Sequence, residues 1–140
     1  MLQPLQQIHV LLVEDDEDTA RLVGRVLSLS VAASFVVTRA GDLQSALALI
    51  EREPFDVVLL DLTLPDGGSM STLAAAGAIA RHVPIAILTS TDEDDLVRLA
   101  ARIGVQEYLV KGEHGSRALE RALLAAIERH RWMRHRTEAA

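Results

Sequence analysis

Apolar and polar positions along this chain fall into two kinds of block that take turns. Ile8–Val13, IHVLLV, is a short, β-branched run that stops abruptly at acids, the pattern of a strand buried on both faces. Asp18 to Leu29 changes to helical spacing, with acids near its start where the helix dipole favours them. Ser34–Thr38, SFVVT, predicts a second strand. Asp42 has the chemistry of an N-cap. Leu43, Ala46, Leu47 and Ile50 form a stripe behind it, and Pro54 closes that region. Val57–Leu60, VVLL, is a third buried strand that runs straight into Asp61. Pro65-Asp66-Gly67-Gly68 has turn chemistry, and the Ala-rich stretch from Met70 to Arg81 predicts a helix in spite of Gly77. Pro84 introduces a fourth strand, IAILT, ending at Thr89. A helix over Asp92 to Arg102 follows from Leu96, Leu99, Ala100 and Ile103. Tyr108-Leu109-Val110 is a fifth strand, closed by Lys111-Gly112. Ser116 is placed to cap a last helix whose stripe is Leu119, Leu123, Ala126 and Ile127.

Strict alternation of five strands and five helices predicts an α/β fold. The crossovers are right-handed, the sheet is parallel and the helices cover both faces. A chain of 140 residues is about one domain, large enough for a real core. The expected division is a short extension over 1–7, the domain over 8–128, and a basic helical extension or tail over 129–140. That last segment reads RHRWMRHRTEAA. At helical spacing Trp132 falls off the core stripe set by Ile127. It has two readings: a frayed basic helix end, or a helix that continues into a partner, a dimer or an output domain.

Composition narrows the classes. Aromatics are only 3%, so aliphatic side chains must carry the core. Cys is absent, which excludes disulfides, thiolate metal sites and a Cys nucleophile, and fits a reducing, cytoplasmic setting. The polar, uncharged stretch Met1–Gln7 lacks signal-peptide character, and no apolar run approaches the roughly 20 residues of a membrane span. A net charge of −6 argues against non-specific nucleic-acid binding by the whole chain, and no direct nucleic-acid partner is expected.

Candidate chemistry sits where the strands end. In an open parallel sheet the functional crevice lies beyond the carboxyl ends of the strands. Strand one ends at Glu14-Asp15-Asp16, strand three at Asp61, strand four at Thr89-Ser90 and strand five at Lys111. Each residue has an ordinary reading: a solvated helix start, a turn-capping acid, a helix cap, a surface lysine. Four strand ends delivering these groups to one rim is a far less ordinary coincidence. Two carboxylates about 5 Å apart repel by about 3 kcal/mol at an effective dielectric near 20. A divalent cation relieves that repulsion, and oxygen-only donors select a hard one such as Mg²⁺. A carboxylate beside such an ion can be the nucleophile that accepts a phosphoryl group, with the ion and an ammonium neutralising the developing charge.

LLVED at 11–15, LLDLTLPDG at 59–67, ILTS at 87–90 and YLVKG at 108–112 together resemble the receiver domain of two-component response regulators. The resemblance covers roughly Ile8 to Arg129. It implies a flavodoxin-like fold with strand order 2-1-3-4-5. It further implies Asp61 as phosphoacceptor, Mg²⁺ (or Mn²⁺) held by Asp15, Glu14, Asp61 and the backbone carbonyl of Thr63, and phosphate binding by Lys111, Thr89 and Ser90. Thr89 and Tyr108 match the switch pair that reshapes the face of helix four, strand five and helix five. The implied partners are a histidine kinase or histidine phosphotransfer protein, and a downstream target or fused output domain, with a homodimer also open. No enzyme activity is expected beyond self-catalysed phosphoryl acceptance and hydrolysis. One departure stands out: the family commonly has Lys-Pro, often cis, where this chain has Lys111-Gly112. Non-Pro cis bonds cost about 2.5–4 kcal/mol, so a trans bond with the following loop placed differently is open here, and the sequence does not choose between cis and trans.

Competing readings fit less well. A flavodoxin-like cofactor binder wants a Gly/Ser/Thr-rich phosphate loop after strand one, where this chain has acids. An EF-hand wants a Gly and a distal Glu that the stretch after Asp16 lacks. A metal-dependent phosphohydrolase needs a second acid/base and a substrate pocket that the sequence does not offer. A receiver-shaped interaction module that is never phosphorylated has no need of the intact acid set. Within 140 residues there is no room for a DNA-binding or catalytic output domain, which leaves a stand-alone regulator or a receiver cut from a longer chain.

Overall fold

A computed structural model describes residues 5–64, 68–90, 93–112 and 116–139. Among them, strands and helices alternate as β1 (Gln7–Val13), α1 (Glu17–Ser28), β2 (Ser34–Ala40), α2 (Leu43–Arg52), β3 (Val57–Leu60), α3 (Ser69–Ile79), β4 (Ile85–Thr89), α4 (Asp94–Arg102), β5 (Glu107–Val110) and α5 (Ser116–Ala139). The strands form one parallel sheet in the order β2-β1-β3-β4-β5. Fold class and strand order are those expected.

Period-two alternation along the central strands builds two cores. Val10, Leu12, Val57, Leu59 and Ala86 face one side and pack with Val23 and Leu27 of α1 and Leu123 and Ala126 of α5. Leu11, Val13, Val58, Leu60, Ile85 and Ile87 face the other side and meet Ala46 of α2, Leu73 and Ala76 of α3, and Leu96 and Ala100 of α4. With both faces covered, β1 and β3 are almost uniformly apolar, which is why their sequences read as unbroken hydrophobic runs.

Several boundaries differ from the sequence reading. Helix α1 starts at Glu17 because Asp16 caps it, accepting from the Thr19 amide at 3.0 Å. Strand β2 runs two residues further, to Ala40, because its pairing with β1 continues to Val13↔Ala40. Ser116 is the first residue of α5, and positions 113–115 ahead of it lie outside the described residues. Leu47 lies at the surface, while Ala46 is buried and Leu43 and Ile50 pack against the core together with Leu49. The turn over 65–67 lies outside the described residues, as do positions 91 and 92 ahead of α4.

Asp42 caps α2 as expected, its carboxylate accepting from the Ser45 amide at 2.7 Å. Asp42→Ala removes that bond and is expected to lower unfolding free energy by about 1 kcal/mol, read from the urea midpoint at constant slope. Helix α5 continues well past its core stripe. Arg129 donates to the Gln106 carbonyl at 2.7 Å and pairs with Glu107, which ties the extension to the start of β5. Trp132, three residues on, is 67% exposed. No helix among the described residues is long and apolar enough to cross a membrane.

Candidate functional site

Backbone ladders bring the candidate groups to the carboxyl edge of the sheet. The Glu14 amide donates to Ala40 at 2.9 Å, the Asp61 amide to Val13 at 3.0 Å and the Lys111 amide to Thr89 at 2.8 Å. Each polar residue is therefore held by the last rung of a strand pair, and its side chain leaves a rigid frame. Rigid elements of this kind hold a site to tighter tolerance than free loops do.

Lys111 closes the cluster. Its Nζ donates to both carboxylate oxygens of Glu14, at 3.1 and 3.2 Å, and to Asp61 Oδ2 at 3.0 Å. Asp61 Oδ1 accepts from the Thr63 amide at 3.0 Å and from the Thr63 hydroxyl at 2.8 Å. Glu14 and Asp61 are each only 2% exposed, whereas Asp15 and Thr63 stand at the surface. The Lys111–Gly112 bond is trans, and Gly112 turns at φ +83°, a left-handed conformation open to glycine. Lys111 reaches both acids with that trans bond, so Lys-Gly in place of Lys-Pro leaves the lysine within the cluster.

Titration follows from this crowding. Burial, followed by the hydrogen bond and negative charge of Asp61, pushes Glu14 up to about 7, with Lys111 only partly offsetting them. Burial would raise Asp61 too, but hydrogen bonds from Glu14, Thr63 and Lys111 outweigh it and hold its carboxyl below the ordinary value. Lys111 loses solvation on burial, yet its bonds and attraction to Asp61 and then Glu14 raise its pKa. Below about pH 7 the pair therefore favours a single negative charge, with the proton on Glu14.

Glu14, Asp15 and Asp61 can each place one carboxylate oxygen within 4.8 Å of the others, the only such metal-holding group of acids and histidines among the described residues. All donors are oxygens, and the like charges have one ammonium between them. That donor set fits a hard divalent cation.

The remaining candidates lie on or directly after β4 and on β5. The Thr89 hydroxyl is fully buried at the end of β4 and has no hydrogen-bond partner among the described residues. Ser90, next in the chain, is exposed. Tyr108 is half-buried in β5 and packs on the core cluster that includes Leu96 and Ala100 of α4. The sequence reading overlooked Arg39. Its Nε donates to the Glu14 carbonyl and its Nη2 to the Asp15 carbonyl, both at 3.1 Å. The available signal was a cation beside a strand end; ending β2 at Thr38 hid it.

Fold and site define a flavodoxin-like α/β protein with an acid-and-lysine pocket at the carboxyl edge of its sheet. A family model described as the response regulator receiver domain matches residues 10–123. The swarming motility regulation protein RssB of Serratia marcescens is 34% identical over 104 residues, covering 74% of this chain and 46% of that protein. The transcriptional regulatory protein MalR of Bacillus subtilis is 30% identical over 104 residues, covering 74% of this chain and 44% of that protein. This chain thus spans less than half the length of either relative. Among solved structures, a response regulator receiver domain protein from Clostridium thermocellum matches at 25% identity and TM-score 0.75, over 90% of this chain and 98% of that one. A CheY-like receiver domain protein from Methanospirillum hungatei shares the fold at 21% identity and TM-score 0.75, over 92% of this chain and 98% of that one. The chain belongs to the response regulator receiver domain family. It is a module of phosphorylation-controlled two-component signalling.

Proposed function

We propose that Asp61 accepts a phosphoryl group from a histidine kinase or histidine phosphotransfer protein in the cytoplasm. Acceptance depends on Mg²⁺ (or Mn²⁺) at Glu14, Asp15, Asp61 and the Thr63 backbone carbonyl. The observation that carries this reading is Lys111 Nζ bridging Glu14 and Asp61 at 3.0–3.2 Å, with the buried Thr89 hydroxyl, which has no partner among the described residues, at the end of the neighbouring strand β4. A buried hydroxyl without a partner costs about 1–3 kcal/mol, so a ligand oxygen that satisfies it binds with that advantage.

In the transfer, an Asp61 carboxylate oxygen forms a bond to phosphorus as the P–N bond of the donor phosphohistidine breaks. The imidazole nitrogen leaves with the bonding pair, and the acyl phosphate remains on Asp61. When bound, the divalent ion supplies neutralisation of charge on the phosphoryl oxygens. Lys111 exchanges its bond to Asp61 for one to a phosphoryl oxygen. Thr89 donates its hydroxyl to another, with Ser90 beside it. Movement of Thr89 frees space for Tyr108 to turn further inward, which reshapes the surface of α4, β5 and α5 for a downstream protein or fused output domain. Self-catalysed hydrolysis resets the switch.

Incubation with Mg²⁺ and acetyl phosphate tests the proposal. The expected result is one added phosphoryl group by intact mass; no gain in mass at any donor concentration would end it.

The pocket also predicts a pH dependence. Glu14 binds its proton more tightly in the folded chain, about 7, than at its ordinary 4.5. Its contribution to stability is therefore fully present below about 4.5 and is lost as pH rises through about 7. The loss is at most about 3 kcal/mol in metal-free protein. Mg²⁺ competes with that proton, so the rise in melting temperature on adding Mg²⁺ is expected to be small at pH 5 and to grow up to pH 8. A Mg²⁺ effect that is flat or falling over that range would contradict the assignment of Glu14.

A further inference from the structure

Behind the acidic turn, on the side away from Lys111, the structure places a second cation. Arg39 lies in the two residues by which β2 overruns its expected end, paired in register with Leu12 of β1. From there its guanidinium forks across the β1–α1 turn, with Nε on the Glu14 carbonyl and Nη2 on the Asp15 carbonyl, both at 3.1 Å. The neighbouring backbone bond, Glu14 amide to Ala40 carbonyl at 2.9 Å, holds the same turn from the same strand. Glu14 and Asp15 are thus fastened through their main chain by contacts that do not use their carboxylates.

We propose that Arg39 is a positioning residue for the divalent-cation site, clamping the consecutive carbonyls of Glu14 and Asp15 so that their carboxylates converge with Asp61. This rests on the reading of the acidic cluster as a cation site. Arg39 does not touch the cluster's ligand oxygens, and its effect passes entirely through the backbone it holds. A guanidinium suits this work because its planar fork presents donors at fixed separation, which a single ammonium does not. Exposed Asp15 has no other described bond to fix its backbone, so the clamp matters most there.

Two physical effects of Arg39 oppose each other. Its positive charge repels an incoming cation, while its two charge-assisted bonds spare the turn an entropic cost on binding. Arg39 lies at the surface, where water screens the repulsion, so ordering is the larger effect. Loss of an outer residue that orients metal ligands weakens affinity by roughly 10–100-fold. The expected result for Arg39→Ala lies near the lower end of that range, since β2 still holds the Glu14 amide.

Calorimetric titration of the full chain with Mg²⁺, well below the melting temperature, tests this against wild type, Arg39→Lys and Asp15→Asn. Arg39→Ala is expected to bind roughly tenfold more weakly. Arg39→Lys, which keeps the charge but not the fork, is expected to fall between Ala and wild type. Affinity in Arg39→Ala equal to or above wild type would overturn the clamp, as would full wild-type affinity in Arg39→Lys. If Arg39→Ala does not fold, Arg39→Lys decides: weakened affinity supports the clamp and unchanged affinity overturns it. Failure of wild type itself to bind, or binding by Asp15→Asn as tight as wild type, would instead remove the cation site on which the proposal rests.

Discussion

Asp61→Asn is expected to gain no phosphoryl mass from acetyl phosphate or from a phosphorylated histidine donor, at any Mg²⁺ concentration. The amide has no anionic oxygen with which to attack phosphorus, so the loss is complete, not graded. The fold is expected to survive the change. Asn has nearly the same shape, and its carbonyl oxygen can still accept from the Thr63 amide and hydroxyl that now hold Asp61 Oδ1 at 3.0 and 2.8 Å. Lys111 loses its bond to Oδ2 but keeps both bonds to Glu14. Removing the negative charge of Asp61 also removes a principal reason for the raised pKa of Glu14. The variant should therefore unfold cooperatively at a temperature close to that of wild type in the absence of Mg²⁺. A phosphoryl gain that persists in a folded Asp61→Asn protein would move the acceptor to another residue and undo the assignment. A folded variant is also the proper comparison for a pull-down of phosphorylation-dependent partners.

Lys111→Ala is expected to have the second-largest effect. Lys111 is the only described cation that contacts the Glu14 and Asp61 carboxylates, and it is also placed to meet phosphoryl oxygens. Removing one donor aimed at developing charge lowers rates by roughly 10²–10³-fold. The initial rate of phosphoryl gain under saturating Mg²⁺ should fall by about that factor. Stability should fall as well. Breaking one partner from a buried ion pair costs about 3–5 kcal/mol when the remaining charge stays buried. Here the cost is smaller, because Glu14 can take up a proton, and losing Lys111 pushes its pKa further upward. Metal-free Lys111→Ala should therefore be least stable, relative to wild type, at alkaline pH and recover toward pH 5. A rate within a few-fold of wild type, with Asp61→Asn still inactive, would show that the lysine has no part in transfer.

Arg39 and Lys111 show how differently two cations could be read in advance. Lys111 follows an apolar strand, YLV, and sits in a motif, so its sequence neighbourhood announces it. Arg39 lies in an edge strand whose end has no sharp hydrophobic boundary, since β2 is only partly buried until Ala40. Its role depends on register with β1, and register between strands separated by a helix is a tertiary fact. Leu47 makes the same point on α2: a helical stripe names a face to within one position, and packing against β1 and β2 selects which residue is buried.

By itself, the sequence determined the α/β alternation, the central strands and the identity of the acids, hydroxyl and lysine at the strand ends. It could do so because burial on both faces leaves an unbroken apolar run, and a charged residue ending such a run is conspicuous. Only the tertiary structure decided that Lys111 bridges Glu14 and Asp61, that the Thr89 hydroxyl is buried with no partner among the described residues, and that burial pushes Glu14 up to about 7. Those properties depend on distances of about 3 Å between residues up to 97 positions apart, and on how completely water is excluded between them. Neither is set by any local stretch of chain; both arise when strand register brings β1, β3, β4 and β5 to a common edge.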